Sequence, residues 1–351
     1  MPPARTSLTE RLFYPPRAES LARQLLLSPL DLASACFAGG IWTRERLLRR
    51  GWIATERVEG LRVVSVGNIN VGGSGKTPAV IWLAERLSAA GRRVAVLSRG
   101  HGRATREPLL FGHQLPEPAS RDSGDEPLLI SRRCPAAFVL VGPDRLLLAQ
   151  RSREELGVDV ALLDDGFQHR RLQRDVDIVV VDEAVGLGNG RLLPRGPLRE
   201  PARALERASL VWLKTASGAP AKLPRWSCPT VRARHVPLGW RAPDGAMLPL
   251  HAMAGQHVLA LAGLARPSGF LSSLEQVGAE VADTALFADH HAFSEGELSE
   301  VAARAKRGGW RIVTTEKDAV RLPPAFPVWT LRLGVEILEG ERELQAALGL
   351  G

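Results

Sequence analysis

The segment from Val66 to Pro78 has the residue types and the spacing of a phosphate-binding loop. It reads VGNINVGGSGKTP and follows an apolar, β-branched run. Glycines let successive backbone N–H groups point at phosphate oxygens, and the lysine and threonine that follow can contact the β- and γ-phosphates and a magnesium ion. A helix that begins here adds the positive end of its dipole. We therefore predict nucleoside triphosphate binding by Asn70, Val71, Gly72, Gly73, Ser74, Gly75, Lys76 and Thr77.

Asn70 is the position that departs from the general pattern, which has glycine there. Asparagine adopts left-handed backbone conformations more readily than most residues, so we expect the loop to turn at Asn70 all the same. A glycine-rich turn that binds nothing is the alternative. It is disfavoured because a strand precedes the loop, and the lysine, the threonine and a helix follow in register.

An acidic pair, Asp164-Asp165, directly follows the apolar run Val158–Leu163. The carboxyl ends of parallel strands meet at one edge of a sheet, beside a phosphate loop. Carboxylates at that edge can hold magnesium directly or through water. We predict a metal site formed by Thr77, Asp164 and Asp165, with a solvated strand end as the alternative interpretation.

Four further polar segments are candidates to supply a base and cationic groups for phosphoryl transfer to an alcohol. All are predicted to be loops, and on spacing alone each is more often a turn than a site. The segments are Ser123–Pro127, Asp164–His169, Gly188–Arg191 together with Gly196–Pro201, and Phe287–His291.

Strands and helices alternate from Leu61 onwards, which predicts a P-loop-like α/β fold with a parallel sheet covered by helices on both faces. The predicted strands are Leu61–Val66, Arg93–Leu97, Phe138–Val141, Val158–Leu163, Asp177–Val181, Leu210–Leu213, Val258–Ala262 and Arg311–Thr314, and the predicted helices are Pro78–Ala90, Asp144–Leu156, Ser268–Val277 and Leu298–Arg307. Proline and glycine punctuation favours a connector with short strands before a second, smaller α/β domain. We expect an N-terminal helical segment at 1–50, a P-loop domain at 51–215, a linker at 216–256 and the second domain at 257–351.

The stretch from Leu21 to Trp42 is apolar but is interrupted by Arg23, Gln24, Pro29 and Asp31, so we expect no transmembrane helix there. Its apolar residues that can share one helical face are Leu21, Leu25, Leu32, Cys36 and Phe37, and arginines flank them. That pattern is typical of a helix lying in a membrane interface. A helix packed on the core is the alternative, and the pattern alone leaves both open.

The composition limits the classes of protein to which the chain can belong. The chain has 351 residues, with 46 Lys and Arg against 38 Asp and Glu, and this excess of eight positive charges indicates an anionic partner such as a nucleotide, a nucleic acid or an acidic lipid. Its three cysteines are far apart and form no C-x-x-C pair, so neither a zinc site nor a disulfide framework is expected, and a reducing cytosol fits best.

In combination, these motifs resemble those of the tetraacyldisaccharide 4'-kinase family, which acts on a lipid A precursor in Gram-negative bacteria. The matching stretches run in order from Val66 to Leu322 and are VGNINVGGSGKTP, SRGHGR, GDEP, DDGFQH, GNGRLLPRGPLREP, GLARP, FADHHAF and TTEKDAVRL. DDGFQH together with the GPLREP stretch is the most specific part. Asn70 falls where this family also lacks the usual glycine. Ser74 and His101 replace a common threonine and tyrosine, and neither change removes a group that the chemistry needs.

The resemblance implies a kinase that uses ATP and Mg²⁺ to phosphorylate the 4'-hydroxyl of a tetraacylated glucosamine disaccharide 1-phosphate. It implies two α/β/α domains joined by a β-stranded linker, with the active site in the cleft and 51–215 as the kinase domain. It also implies that the N-terminal helix holds a peripheral, monotopic protein on the anionic cytosolic face of the inner membrane. We further expect a monomer with no nucleic-acid partner.

The resemblance also assigns roles to individual residues. Asp125 matches the family's proposed base, and His290 matches its partner from the second domain, so that domain closure would assemble the pair. Lys76 matches the phosphate-loop lysine, and the three metal-site residues named above match the family's metal positions. Further active-site matches are Glu126, Gln168, His169, Arg199 and Glu200. Whether Asp125 acts alone or with His290 as the base stays open.

Two other classes of protein are alternatives. A P-loop GTPase usually carries an N/T-K-x-D motif after a strand; Thr315–Asp318 is weakly similar, but glutamate stands where the lysine belongs, and selective binding of GTP over ATP would favour this class. A nucleic-acid binder is suggested by charge alone. The arginines are spread over the chain and form no recognised nucleic-acid module, which disfavours that class.

Overall fold

One mostly parallel sheet of 13 strands runs through the part of the chain that the computed structural model describes, residues 12–15, 20–215 and 221–350. The strands are β1 (Arg62–Gly67), β2 (Val94–Ser98), β3 (Leu109–Gly112), β4 (Phe138–Val141), β5 (Val160–Asp164), β6 (Val176–Asp182), β7 (Leu210–Lys214), β8 (Thr230–Arg241), β9 (Met247–Leu248), β10 (His257–Gly263), β11 (Glu280–Phe287), β12 (Arg311–Thr315) and β13 (Trp329–Glu339). Their order across the sheet is β11-β10-β12-β13-β8-β7-β6-β1-β5-β2-β4-β3, and β9 pairs with β8.

Helices cover both faces of this sheet, as predicted. They are α1 (Leu21–Leu26), α2 (Ser28–Arg49), α3 (Lys76–Ala89), α4 (Ser120–Ser123), α5 (Asp125–Arg133), α6 (Arg145–Glu154), α7 (Ser268–Gln276), α8 (Glu295–Gly308), α9 (Glu316–Ala319) and α10 (Glu341–Leu348), with 3-10 turns at Ala202–Arg207 and Leu250–Met253. Successive side chains of a strand point to opposite faces. In β5, Leu162 belongs to the cluster that contains Leu83 of α3, while Leu163 belongs to the cluster that contains Leu148 of α6. Both faces of β5 are therefore buried, which explains its uninterrupted apolar sequence.

The phosphate-loop strand β1 lies between β5 and β6, and all three run parallel. The acidic ends of the two neighbours therefore flank the end of β1, because parallel strands present their carboxyl ends at one edge. Val64 and Val66 of β1 are fully buried in the same cluster as α3. The core of the first half thus holds the phosphate loop between two carboxylate-bearing strand ends.

Strand β8 carries the sheet from the first half of the chain into the second. It pairs in parallel with β7 and antiparallel with β13, and it is a single 12-residue strand where the sequence indicated only short ones. Pro237 caused the difference, because it lies at a register shift opposite Leu333, where a proline is tolerated without ending the strand. From the C-terminal end of the chain, Leu344 and Leu348 of α10 join the cluster around β1. The division at 215 and 257 stays a prediction.

Several elements were missed from the sequence, among them α5, α9, β3, β11 and β13. The predicted loop Ser123–Pro127 is wrong in its second half, since α5 begins at Asp125. Pro127 misled the prediction, but proline fits the first turn of a helix, where its missing N–H costs nothing. Strands β3 and β11 were also missed. Both lie at the edges of the sheet, and β11 alternates exposed and part-buried residues instead of forming an apolar run.

The N-terminal stretch forms two helices, α1 and α2, which meet at Leu27. Neither contains a buried residue. Within the described ranges, none of the helices combines the length and apolar character needed to cross a membrane. Helix α2 is nevertheless fixed to the body of the protein, because Ser34 Oγ donates to the carbonyl of Leu192 at 2.9 Å and accepts from Arg195 N–H at 3.1 Å.

Candidate active site

Glycine is required at the turn from the phosphate loop into α3. Gly72 and Gly75 have φ angles of 97° and 83°, in the region that disfavours other residues. A Cβ atom on Gly75 would lie 2.9 Å from His235 Cε1 on β8. His235 therefore packs directly against the loop at Gly75. Burial, followed by the nearby charge of Lys214, lowers the pKa of His235 to about 4. Sequence reasoning missed this support because β8 is 155 or more positions further along the chain.

Asn70 does not turn the loop, contrary to the expectation from its sequence. Its φ is not positive; the residue forms an antiparallel bridge with Leu198, and its Nδ2 donates to the carbonyl of Gly186 at 2.8 Å. The next residue, Val71, donates its N–H to the carbonyl of Pro197 at 2.8 Å. The asparagine amide thus ties the phosphate loop to the neighbouring loops, a contact that glycine has no side chain to make.

Lys76 is held by two oxygen atoms at the end of the strand. Its Nζ donates to Asn68 Oδ1 at 3.1 Å and lies 3.4 Å from Asp165 Oδ1. Asn68 is itself buried, and its Nδ2 donates to Ser74 Oγ at 3.0 Å. A single buried amide therefore positions both the lysine and the serine of the loop. The sequence signal for Asn68 was a polar residue directly after an apolar strand.

The two carboxyl groups of the acidic pair at the end of β5 have different environments. Asp164 is buried and accepts from Ser98 Oγ at 3.0 Å, whereas its Oδ1 has no hydrogen-bond partner among the described residues. Burial, followed by the charges of Glu126 and Asp165, raises the pKa of Asp164 to about 7. Burial alone would also raise the pKa of Asp165, but the cations Lys76 and Arg199 outweigh burial and hold that pKa below its usual value. Asp165 has a φ of 53°, a strained conformation that is typical of functional positions.

Asp125 and His290 are in contact although 165 positions separate them. His290 Nδ1 lies 3.0 Å from Asp125 Oδ2, and Arg321 Nε lies 3.5 Å from the same oxygen. Asp125 is the first residue of α5, and His290 follows β11 with a φ of 58°. The helix start and the strained loop together place a carboxylate and an imidazole side by side at the cavity.

The five other predicted positions make different contacts. Gln168 donates to the carbonyl of Asn68 at 2.9 Å, and Arg199 Nη1 pairs with Asp165 at 2.6 Å, so both contact residues that hold Lys76. Glu126 lies 3.8 Å from Lys317. Burial, then the charge of Arg145, lowers the pKa of His169 to about 4. Glu200 is buried and paired with Arg207 at 2.7 Å.

A cavity of about 2500 Å³ brings nearly all of these groups together. Its lining includes every predicted site residue except Asn70 and Val71. The inner side of α2 also lines it, through Cys36, Phe37, Gly40, Ile41 and Arg44. Phosphate-binding, carboxylate and helical apolar groups therefore share one space.

Comparison with known proteins identifies the family. The family model described as tetraacyldisaccharide-1-P 4'-kinase, LpxK, matches residues 23–349. The chain belongs to this family. A relative named tetraacyldisaccharide 4'-kinase in Anaeromyxobacter sp. Fw109-5 is 44% identical over 98% of both chains, and one of the same name in Anaeromyxobacter dehalogenans 2CP-C is 46% identical over 92% of this chain and 89% of its own. A crystal structure of Aquifex aeolicus LpxK in complex with ATP has 29% sequence identity with this chain. The match covers 92% of this chain and 98% of the Aquifex aeolicus chain, with a TM-score of 0.78.

As a member of the tetraacyldisaccharide 4'-kinase family, the chain is a phosphotransferase of lipid A biosynthesis that acts on a hydroxyl group. The superposition with a solved family member confirms the predicted α/β fold over most of the chain. The motif stretches quoted above for the family resemblance therefore identified the family correctly.

The raised pKa of Asp164 predicts that the stability of this kinase depends on pH. A carboxyl group with a folded pKa of about 7 keeps its proton while the unfolded chain, with a pKa near 3.8, loses it. The folded state therefore loses stability as pH rises from about 4 to about 7, by on the order of 1–3 kcal/mol given the limit of about 1.4 kcal/mol per pKa unit. Without divalent cations, Asp164→Asn should gain stability relative to the parent by that amount between pH 4.5 and pH 7.5, measured by chemical denaturation. A difference that is constant with pH would contradict the buried, protonated carboxyl.

Proposed function

We propose that this chain transfers the γ-phosphate of ATP to the 4'-hydroxyl of a tetraacylated glucosamine disaccharide 1-phosphate, with Asp125 as the base. The observation that carries the proposal is that Lys76, the Asp164-Asp165 pair and the Asp125–His290 pair line the same cavity. Phosphoryl transfer needs a cationic phosphate clamp, metal-binding carboxylates and a group that accepts the hydroxyl proton. The names of the relatives and the ATP complex of the Aquifex aeolicus protein support the substrates.

The phosphate loop is the proposed ATP site. Lys76 would leave Asn68 and Asp165 to contact the β- and γ-phosphates, while the loop N–H groups and the start of α3 face the phosphate oxygens. Arg199 lies close enough to keep Asp165 neutralised after the lysine has moved. Binding of the nucleotide would therefore replace the ion pair between Lys76 and Asp165 with charge-assisted contacts between Lys76 and the phosphates.

Mg²⁺ fits the donors at the end of β5. The buried, unpartnered Oδ1 of Asp164 with its raised pKa is a carboxylate that a cation would stabilise in its charged form. Thr77, Asp164 and Asp165 would hold the ion, all with oxygen donors that Mg²⁺ prefers. When bound, it would neutralise charge on the transferring phosphate.

Asp125 is proposed as the base because its Oδ2 lies 3.0 Å from His290 Nδ1 and 3.5 Å from Arg321 Nε, so the carboxylate is held at the cavity. Glu126, Gln168, His169, Arg199 and Glu200 are proposed as further active-site positions. Of these, Gln168 and Arg199 act through the phosphate loop and Asp165. The Arg207 pairing makes Glu200 a residue that fixes the loop after Arg199.

The test is transfer of label from γ-labelled ATP to the purified acceptor in detergent micelles. Labelled 4'-phosphorylated lipid is expected with ATP and magnesium, and chelation should abolish it. Label released only as inorganic phosphate would mean that the protein hydrolyses ATP without using this acceptor.

We also propose that the protein is a monomer that binds the cytosolic face of the inner membrane peripherally through α1 and α2. Leu21, Leu25 and Leu26 of α1 are 79%, 74% and 78% exposed. Helix α2 continues from this apolar surface to the cavity, where Phe37 and Ile41 are part of the lining. A lipid acceptor could thus present its sugar to the cavity while its acyl chains stay at the membrane.

Replacing Leu21, Leu25 and Leu26 by serine should weaken binding to anionic vesicles by roughly 10²-fold or more, because each buried leucine contributes about 1.5–3 kcal/mol. Vesicle sedimentation measures the change. Leu147→Ser is the matched control, since Leu147 is 45% exposed on α6 and remote in sequence from the N-terminal helices. Undiminished binding of the triple variant would mean that another surface contacts the membrane.

A further inference from the structure

Arg266, in the second half of the chain, contacts the phosphate loop of the first half. It belongs to the GLARP stretch, which neither the proposed nucleotide site nor the proposed metal site uses. Its Nη2 donates to the carbonyl of Gly73 at 3.3 Å, across 193 positions of the chain. Both residues line the cavity that contains the phosphate loop and the acidic pair. A guanidinium therefore lies beside the loop that is proposed to hold the phosphates of ATP.

The backbone that carries Arg266 is anchored on both sides. Strand β10 ends at Gly263, whose N–H donates to Oδ1 of the buried Asp318 at 3.1 Å and whose carbonyl accepts from Arg321 at 3.1 Å. Helix α7 begins two positions after Arg266 and buries Phe270 in the apolar cluster around β10. The side chain of Arg266 therefore extends from a short loop that is held at its start and at its end.

The guanidinium of Arg266 has donors left for a ligand. It carries five N–H groups, and the described residues accept a hydrogen bond from one of its nitrogens, Nη2. Its Cζ lies 5.3 Å from the ring centre of Tyr14, a cation–π contact that orients the group without using a donor. Arg199, at the same cavity, is neutralised by Asp165 at 2.6 Å. Arg266 forms no such ion pair with any described carboxylate, so its charge is available to an anion.

The position of Gly73 in the loop indicates which part of ATP the guanidinium would meet. In a phosphate loop, the backbone before the lysine surrounds the α- and β-phosphates, and the lysine reaches the β- and γ-phosphates. Gly73 lies three positions before Lys76. Its contact with Arg266 therefore brings the guanidinium, on the cavity side of the loop, close to the bond that joins the β- and γ-phosphates.

Resting on the proposed function, we propose that Arg266 is a catalytic residue, an arginine from the second half of the chain that contacts the β–γ bridging oxygen and the γ-phosphate during transfer. The acceptor oxygen forms the new bond to the γ-phosphorus, and its proton goes to the proposed base. The bond from that phosphorus to the bridging oxygen breaks, and ADP keeps the electron pair. Negative charge therefore grows on the bridging oxygen, where a preorganised guanidinium stabilises it. Exchanging the neutral carbonyl of Gly73 for a phosphate oxygen also strengthens the hydrogen bond of Arg266.

Arg266→Met should lower kcat by about 10²-fold or more, because one preorganised donor contributes ~10²–10³-fold and an arginine that stabilises a transferring phosphate ~10³–10⁵-fold. The Kd for ATP should change far less, since the contact strengthens as charge develops. Steady-state kinetics and equilibrium binding of ATP measure the two effects. Arg307→Met, at an exposed position of α8, is the matched control for the loss of one arginine. Equal kcat values in the two methionine variants would overturn the proposal.

A mimic of the transferring phosphate separates catalysis from support of the loop. With magnesium and the acceptor lipid present, ADP together with aluminium fluoride should bind the parent protein and Arg307→Met equally. Arg266→Met should bind this mimic more weakly, by about the factor that is lost from kcat, whereas ADP alone should bind all three proteins alike. If Arg266 only held Gly73 in place, Arg266→Met would bind ADP and the mimic with equal losses. That result, or an unchanged affinity for the mimic, would overturn the proposal.

Two further variants complete the test. Arg266→Lys keeps the positive charge but not the planar pair of donors, so its kcat should lie between those of the parent protein and Arg266→Met. Arg266→Gln keeps a polar side chain and replaces the methionine variant in both measurements if the thermal unfolding midpoint of Arg266→Met is lowered. The same losses of kcat and of affinity for the mimic are expected of it, and their absence would overturn the proposal.

The outcomes separate this inference from the function on which it rests. If Lys76→Met transfers phosphate at the parent rate, the phosphate loop is not the nucleotide site and the proposed function itself is wrong. If Lys76→Met loses activity while Arg266→Met keeps it, only the role of Arg266 is wrong.

Discussion

Asp125→Asn is expected to lower kcat by roughly 10²–10⁴-fold, the contribution of a positioned general base, while the Kd for ATP stays nearly unchanged. The asparagine keeps the shape of the side chain and a polar group within hydrogen-bond distance of His290, but it cannot take the proton of the acceptor hydroxyl. Asp125 has no contact with the phosphate loop, whose lysine pairs with Asp165 instead. Turnover and nucleotide binding should therefore separate.

Asp122→Asn is the matched control for this prediction. Asp122 lies three positions earlier in α4, and its Oδ2 is 3.9 Å from Nε of its exposed neighbour Arg121. Single-turnover measurement of phosphate transfer, together with equilibrium binding of ATP, distinguishes the two variants. Turnover retained in Asp125→Asn would exclude Asp125 as the base, and weakened ATP binding in its place would move the residue to the nucleotide side of the site.

The buried strands were the part of the fold that the sequence predicted best. Strand β4 has the predicted bounds, and β5 and β6 differ from prediction by one or two residues at each end, because strands buried on both faces are continuously apolar. Strands β3, β11 and β13 were not predicted. Strands β3 and β11 lie at the edges of the sheet, where a strand buries only part of its surface and carries a mixed pattern, and β13 is inside the sheet but also mixes buried, part-buried and exposed residues. Strand β8 was underestimated because its proline and glycine lie at irregularities that long-range pairing accommodates.

The site shows the same division between local and long-range information. The phosphate loop and the acidic pair could be predicted because each is a short segment beside an apolar strand. The contacts of His235 with Gly75 and of Arg321 with Asp125 join residues that are more than 150 positions apart, so no spacing in the sequence indicates them. Asn70 shows a further limit, since a residue expected to supply backbone freedom instead supplies a side-chain donor to Gly186.

Lys76→Met should lower kcat/KM by roughly 10²–10³-fold, the usual effect of removing one preorganised group that stabilises transition-state charge. Unlike Asp125→Asn, this variant should also bind ATP more weakly, because the ammonium contacts the nucleotide before transfer as well as during it. Methionine keeps the length and apolar stem of the side chain, which leaves the packing of α3 intact. Equilibrium binding and steady-state kinetics measure the two effects.

Lys306→Met removes a lysine of the same chemistry from an exposed position of α8 and controls for the change in net charge. The loss of Lys76 also leaves Asp165 with Arg199 as its remaining cation, at 2.6 Å. That pair is close enough to keep Asp165 charged, so the metal site should survive in Lys76→Met, and the magnesium dependence of the residual activity should match that of the parent protein. Transfer at the parent rate would exclude the phosphate loop as the nucleotide site, because the proposal assigns the contact with the transferred phosphate to Lys76.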